Sequence, residues 1–375
     1  MPTPDSRYQR PSGDNAVSVL IGGRVHQQWT SYEIDSDLMI PADAWQVSLG
    51  LPKGEFPPLV EAGASVVVRV GRDTVLTGQI DEIADPIDKN SHTLSLSGRD
   101  GAAVLVDCSS PIFTAKQATL AEVVANVVKP LGISKIRIDA ARSMTSEKIN
   151  VEPGDTAWET LVHAAEANGL WPWFEPDGTL VIGGPDYNTP PVASLVMRRE
   201  GKDNNVISLS RVRSMAERYS EFTVLGQRHG TATENGKHAL KSTVRDPDVK
   251  IYRPKIIVDH EAENTEAARA RGRKLLSDSR LKGFTLTAKV AGHRTSSGVL
   301  WQPGQRIHVI SDAHGIDATF FLMARKFQGG RGQGTVTTLT LKEDKVWVLD
   351  AHPHKRKHRR GKNGSAGLEA VDVSK

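Results

Sequence analysis

The chain has 375 residues, too many for one ordinary hydrophobic core, and 38% of them are hydrophobic with only 5% aromatic. No apolar run approaches the roughly 18 residues of a membrane span, and the single cysteine, Cys108, excludes an internal disulfide and a thiolate metal cluster. The formal net charge of +4 is local: residues 346–375 hold seven Lys or Arg against three acids, and the body before them carries 41 of each sign, so it lacks the overall charge of a nucleic-acid-binding surface.

Residues 1–15 are polar with three prolines and read as a disordered lead, not as a signal peptide. Val17, Val19 and Ile21 alternate before Gly22-Gly23 and Val25 resumes after it, which predicts a strand and a turn within 16–29. Further strands are expected at 45–49, 66–70, 74–80 and 93–96, with Ala62-Gly63 leading into the second of them. Five or six short antiparallel strands are about enough to close a small barrel, and Gly98-Arg99-Asp100 is read as its end, giving a first β-barrel domain over 16–103.

A different pattern follows. Thr119-x-x-Glu122 has the spacing of a capping box, and Leu120, Val123, Val124, Val127, Val128 and Leu131 form an apolar stripe at helical spacing that Gly132 stops. The device returns at Thr156-x-x-Glu159, with Trp158, Leu161, Val162 and Ala165 on one face and Gly169 as the stop. Strand-like sequence follows each helix, at 133–138 and at 170–182 around the turn Pro176-Asp177-Gly178. An α+β insertion domain is therefore expected over 104–204.

Strand signals resume at 205–228, with Ile207, Leu209, Tyr219, Phe222 and Val224, and these strands are expected to join a second barrel. Residues 229–249 are polar and read as a mobile loop; a strand at 255–258 and a helix from Asn264 or Thr265 complete a segment, 229–283, that packs with the insertion. Ala268, Gly272, Leu275 and Leu276 mark the helix's inner face and Arg269, Arg271 and Arg273 a solvated outer one.

From Phe284 the first pattern repeats. Strand runs at 284–290, 306–310, 319–323 and 338–341 follow the order of 45–49, 66–70, 74–80 and 93–96, with Pro303-Gly304 where the first copy has Ala62-Gly63. The expected fold is thus α+β but mainly β: two similar small antiparallel β-barrel domains, 16–103 and 284–345, separated by an α+β insertion and followed by a basic flexible C-terminal tail, 346–375.

No catalytic, cofactor-binding or metal-ligating set emerges. His163 and Glu166 lie one turn apart, but their spacing is not that of a zinc protease and no third ligand follows. Gly329-Gly330-Arg331-Gly332-Gln333-Gly334 has the composition of a phosphate loop without its Lys-Ser/Thr ending or following helix, so a hairpin turn is expected. The run 149–158, Ile-Asn-Val-Glu-Pro-Gly-Asp-Thr-Ala-Trp, resembles the opening of LysM glycan-binding modules, but the second helix of such a module is missing. This keeps a glycan-binding or lytic tail component as the alternative class. The run 352–360, with Lys355, Arg356, Lys357, Arg359 and Arg360, suits salt-dependent phosphate contacts or a solubilising or docking tail, and has no aromatic residue for base stacking.

Four stretches in register resemble the baseplate hub proteins of Mu-like contractile-tailed phages: Ser97-Gly98-Arg99-Asp100 with Asp107-Cys108; 218–224, Arg-Tyr-Ser-Glu-Phe-Thr-Val; 252–257, Tyr-Arg-Pro-Lys-Ile-Ile; and Leu300-Trp301-Gln302-Pro303. The likeness covers residues 16–345. It implies a non-enzymatic homotrimer whose two barrels per subunit imitate a hexagon around a central channel. It further implies as partners the tail tube protein, a central spike protein, other baseplate proteins, and the tape measure protein and DNA passing through, all in a virion tail assembled in the host cytoplasm.

Overall fold

The computed structural model describes residues 13–27, 29–50, 60–89, 91–111, 117–139, 148–150, 154–228, 237–259, 262, 264–347, 349 and 370–372. The first seven strands are β1 (Val17–Ile21), β2 (Arg24–His26), β3 (Ser31–Asp37), β4 (Ala44–Gly50), β5 (Ser65–Val70), β6 (Asp73–Ala84) and β7 (Thr93–Asp100). In β3, β5 and β7 buried positions alternate with more exposed ones, as a sheet with one covered face requires. Gly98-Arg99-Asp100 forms the last three residues of β7, where the strands of the first unit end as expected, and helix α1 (Ala102–Asp107) follows directly.

The insertion comprises β8 (Gln117–Thr119), α2 (Leu120–Val123), β9 (Ile136–Asp139), β10 (Lys148–Asn150), α3 (Ala157–Ala167), β11 (Trp171–Phe174) and β12 (Leu180–Gly183). Both expected capping boxes form, with Thr119 and Thr156 each accepting from the amide of the glutamate three residues on while that carboxylate reaches back. Beyond Val123 the helix widens to a π-turn over Val124–Val128 and tightens over Lys129–Leu131, where Pro130 supplies no amide donor. These helices cover a sheet of β11, β12 and β9, and together with α1 they bury their own apolar cluster, centred on Leu105, Leu120, Leu161 and Leu180.

The second half contains β13 (Ala193–Val196), β14 (Ser208–Arg213), β15 (Glu221–Arg228), β16 (Lys237–Arg245), β17 (Pro254–Asp259), α4 (Thr265–Gly283), β18 (Phe284–Ala291), β19 (Arg306–Ser311), β20 (Ile316–Gly330) and β21 (Gln333–Glu343). A last strand, β22 (Ala370–Asp372), pairs with β9. Helix α4 packs on a separate three-stranded sheet, β16-β15-β17, where Val244 and Val224 press on Gly272. The polar stretch read as a mobile loop therefore contains a strand, β16, and residues 229–236 lie outside the described residues. Likewise only 208–213 of the stretch 205–228 joins the second repeat, because β15 belongs to the three-stranded sheet. The remaining strand of that repeat is β13, which pairs with β19 although it lies within the stretch 104–204 expected to be insertion.

The repeat is real in its hydrogen bonding. The first unit pairs in the order β3-β4-β7-β6-β5-β1 and the second in the order β14-β18-β21-β20-β19-β13; the match is in sense as well as order as far as β5 and β19, while the outermost strand is antiparallel in the first unit (β1) and parallel in the second (β13). Gly63 (φ 84°) donates to Ile80 O at 2.8 Å, and Gly304 (φ 91°) donates to Leu322 O at 2.8 Å. Both glycines occupy the left-handed region that a side chain disfavours, which is why the two strands open on the same residue type. One bulge interrupts β6 against β7 between Ile80 and Glu82, and a second interrupts β20 against β21 between Leu322 and Ala324. Even an irregular bond recurs, Thr30 N to Ser48 O and Ile207 N to Lys289 O, both 2.7 Å. These bonds make Leu96 the counterpart of Leu339, so the last strand is shifted by two residues from the sequence alignment of Thr93 with Thr338. A shift of two keeps every side chain on its face, so alternation alone could not detect it.

Two separate barrels are not what forms. Strand β3 pairs with β20 as well as β4, which fuses the units into one 13-stranded sheet over one shared apolar core, and no closed barrel is found among the described residues. The lead is also ordered from Gly13: Asn15 Oδ1 accepts from His293 N at 3.0 Å, and Asp14 O from Arg294 Nε at 3.0 Å. The tail, expected to be flexible from 346, is held at its start, where Trp347 and Leu349 are buried with Phe321, Met323 and Leu281. The basic run 352–360 lies outside the described residues.

Candidate assembly interface

The seam between the two units is built from an acidic strand and a basic one. In β3, Tyr32 and Ile34 enter the core while Glu33, Asp35 and Asp37 alternate with them; facing them, β20 carries Arg325, Lys326, Phe327 and Gln328. The register sets Phe327 against Ile34, Lys326 against Asp35 and Gly329 against Tyr32. Lys326 Nζ bonds the Glu33 carboxylate and lies 3.8 Å from Asp35, and Gln328 Nε2 donates to Glu33 Oε2 at 2.8 Å.

Arg325 is the unusual member, at 3% exposure. Its guanidinium donates to Ile34 O at 3.2 Å and Val75 O at 3.3 Å and lies 4.0 Å over the Phe327 ring. Burial lowers its pKa to about 10, opposed by the charges of Asp43 and Asp35. Desolvation pushes the Asp43 carboxyl up, with the Arg325 charge among the effects holding it down; Asp100 is pushed up by desolvation and then by Asp43.

A second contact crosses the seam. Thr337 Oγ1 donates to Gly292 O at 2.6 Å, so it accepts from His293 Nδ1 at 3.0 Å; His293 Nε2 is then the acceptor for Tyr32 O–H at 2.9 Å. Burial lowers the His293 pKa to about 3, aided by Arg325 and Arg294, so the ring is neutral. The glycine-rich stretch acquires its reason here. A Cβ on Gly329 would sit 2.3 Å from the Tyr32 hydroxyl and one on Gly330 2.2 Å from Thr30 O. Only the turn at its tip behaves as the sequence suggested; its first two residues are junction strand.

The counterparts of this seam in the other repeat are unpaired. Strand β14 corresponds to β3 and ends the 13-stranded sheet; no described strand bonds its outer edge. The end of β6 beyond Ile80, running on to Ile87, corresponds to the part of β20 that binds β3, and it too has a described partner on the β7 side only. Apolar side chains are exposed on both: Ile87 at 71% and Val212 at 56%. Arg213 and Val212 are exposed on β14, as are Glu82 and Asp85 at the other edge. A smaller apolar edge, Ile256 and Val258 of β17, borders the three-stranded sheet.

The residues weighed as a catalytic or metal site do not converge. His163 is exposed on α3 while Glu166 binds Lys274 Nζ at 2.9 Å, tying α3 to α4, and no metal-holding group of three His, Cys, Asp or Glu occurs among the described residues. Of the three helix arginines, Arg269 and Arg273 are exposed and Arg271 pairs with Asp259 at 3.6 Å. In the stretch that opens like a LysM module, α3 is followed by the β11–β12 hairpin, not by a second helix. No helix among the described residues is long and apolar enough to cross a membrane. The seam itself was missed in the sequence: its only trace was the alternation of Tyr32 and Ile34 with acids.

Four family profiles match the chain in order. They are Mu phage baseplate assembly protein GpP-like, N-terminal (residues 16–100); baseplate hub protein gp44-like, second domain (102–184); tail protein NMB1110-like, third domain (218–276); and an NMB1110-like tail protein C-terminal domain (278–346). The baseplate hub protein gp44 of Escherichia phage Mu is 24% identical over 369 residues, 95% of each chain. The crystal structure of the tail protein from Neisseria meningitidis MC58 is similar with a TM-score of 0.79 at 43% identity, covering 90% of this chain and 99% of that one. The 43 kDa tail protein of prophage MuSo2 from Shewanella oneidensis has a TM-score of 0.77 at 26% identity, covering 90% and 100%.

Proposed function

The chain belongs to the Mu-like baseplate hub family of phage tail proteins, and from that premise we propose that it forms the homotrimeric hub of a contractile tail. In this role it is a structural ring, pseudo-sixfold around a central channel, that joins a sixfold tail tube to a threefold spike and contacts other baseplate proteins. It carries out no catalysis; the tape measure protein and DNA pass through its centre. The two repeats, residues 16–103 and 284–345 with 193–196 and 208–213, make the ring, and the insertion and the segment 221–283 decorate it.

One observation carries the proposal: each chain makes the β3–β20 junction once internally and exposes the counterparts of both strands. A protein with two equivalent units and one unmade junction closes when the copies link head to tail, and three copies then present six nearly equivalent faces. Light scattering on the purified protein should give three times the chain mass of 40.7 kDa, and negative-stain micrographs should show rings with six lobes. A strictly monomeric species at high concentration, with no rings, refutes the hub.

A further inference from the structure

We propose that β14 of one copy adds as an antiparallel strand to the open end of β6 of the next, in a register dictated by the internal junction and with an opposite distribution of charge. This rests on the ring proposed above and names the surface that closes it. Transferring the β20–β3 register through the duplicated bonds sets Asp85 against Arg211, Ala84 against Val212 and Ile87 against Leu209. The backbone is poised for this. Thr93 N donates to Pro86 O at 3.2 Å, so the proline turns its missing N–H toward β7 and leaves the outer edge to Ile83, Asp85 and Ile87. On β14, Ser214 N donates to Gly283 O at 2.9 Å, which by alternation turns Leu209, Arg211 and Arg213 outward.

The side chains discriminate. Inside the chain, position by position, Lys326 meets Asp35 and Phe327 meets Ile34. Between copies the ionic and apolar positions exchange: Ala84 meets Val212 where the inner seam has its ion pair, and Asp85 meets Arg211 where it has its apolar pair. Each strand therefore fits one partner. A β14 docked on β20 would set Arg213 on Arg325 and Arg211 on Phe327; a β3 docked on β6 would set Asp37 on Glu82 and Ile34 on Asp85. Like charges and buried unpaired ions penalise both. The chain thereby alternates its two junctions around the ring instead of polymerising one of them.

The test uses the full chain with Cys108→Ser. Ala84 and Val212 are expected to be a non-hydrogen-bonded pair, the spacing at which facing Cβ atoms lie about 4.5–5.5 Å apart and a disulfide is feasible. Ala84→Cys with Val212→Cys should give covalent trimer on non-reducing gels, and Ile83→Cys with Val212→Cys should not. Asp85→Arg, at an exposed position that leaves the fold intact by circular dichroism, should abolish the trimer peak in light scattering, and adding Arg211→Asp should restore it. A trimer that survives Asp85→Arg and forms no Ala84–Val212 cross-link places the interface elsewhere and overturns this register while the hub stands. A wild-type monomer overturns both.

Discussion

Arg325 at the inner seam offers the sharpest test of how the two units are held together. Arg325→Met keeps the apolar stem's volume and deletes the guanidinium, so no large cavity enters the cost. Two charge-assisted bonds to Ile34 O and Val75 O are lost; at 3.2 and 3.3 Å they are long, and about 1 kcal/mol each is a fair value. The contact over Phe327 adds about 1 kcal/mol. Asp43 then loses a countercharge in a desolvated site, and the total reaches roughly 3–4 kcal/mol at pH 8. With a denaturant slope of about 2 kcal/mol per molar, the urea midpoint followed by tryptophan fluorescence should fall by about 1.5–2 M. The carboxyl's share depends on pH. Its folded pKa lies above its unfolded one, so ionising it costs stability as pH rises from about 4, and the variant's deficit should shrink toward pH 5. Asp43→Asn in the same chain should recover part of the loss at pH 8 and little at pH 5. A midpoint that stays put at pH 8, or a deficit that ignores pH, would show that the guanidinium contributes nothing net at this seam.

Other substitutions probe the rest of the scaffold. Gly98→Ala would put a Cβ 2.0 Å from Gln79 O and 2.9 Å from Trp45 Nε1, in backbone that a central strand cannot yield; a loss of at least about 3 kcal/mol is expected, read as a lower melting temperature, while Gly334→Ala, with nothing within 4 Å, should be neutral. Asp100→Asn keeps the acceptor for Ala102 N and removes a carboxyl whose pKa burial raises; because that group's stability is present below about pH 4 and lost as pH climbs, the variant should match wild type in acid and exceed it at pH 8 by 1 kcal/mol or more, on the order of one pKa unit's worth. Tyr32→Phe removes the donor to His293 Nε2 and should cost about 1–2 kcal/mol, measured by urea melts at pH 7. Lys274→Met leaves Glu166 and Asp278 without their buried ammonium, and should cost about 2–3 kcal/mol and speed amide exchange in α3 and α4.

The repeats have diverged in the sizes of corresponding side chains. Trp45 packs over Gly98 in the first unit, and the counterpart positions hold Leu286 and Leu341, a large–small pair replaced by two of middle size. Tyr32 over Gly329 is a second such large–small pair, and its counterpart positions in the other repeat hold Leu209 and Ile87.

Local physics was enough for the elements. Alternation located β1, β4, β5, β18 and β19 almost to the residue, and the Thr-x-x-Glu boxes located α2 and α3, because each rests on contacts within a few positions along the chain. The duplication was also legible, since strand order and the two glycines survive in sequence. Three things were settled only by the tertiary fold. Strand β3, half acidic and short of apolar residues, becomes a strand because β20 supplies Lys326 and Gln328 from almost three hundred residues away. Its twin β14 belongs to the second unit, while the more strand-like β15 is claimed by β16, β17 and helix α4. The choice between two barrels and one continuous sheet turned on the pairing of edges, and an edge bond is a backbone contact that side-chain periodicity does not encode.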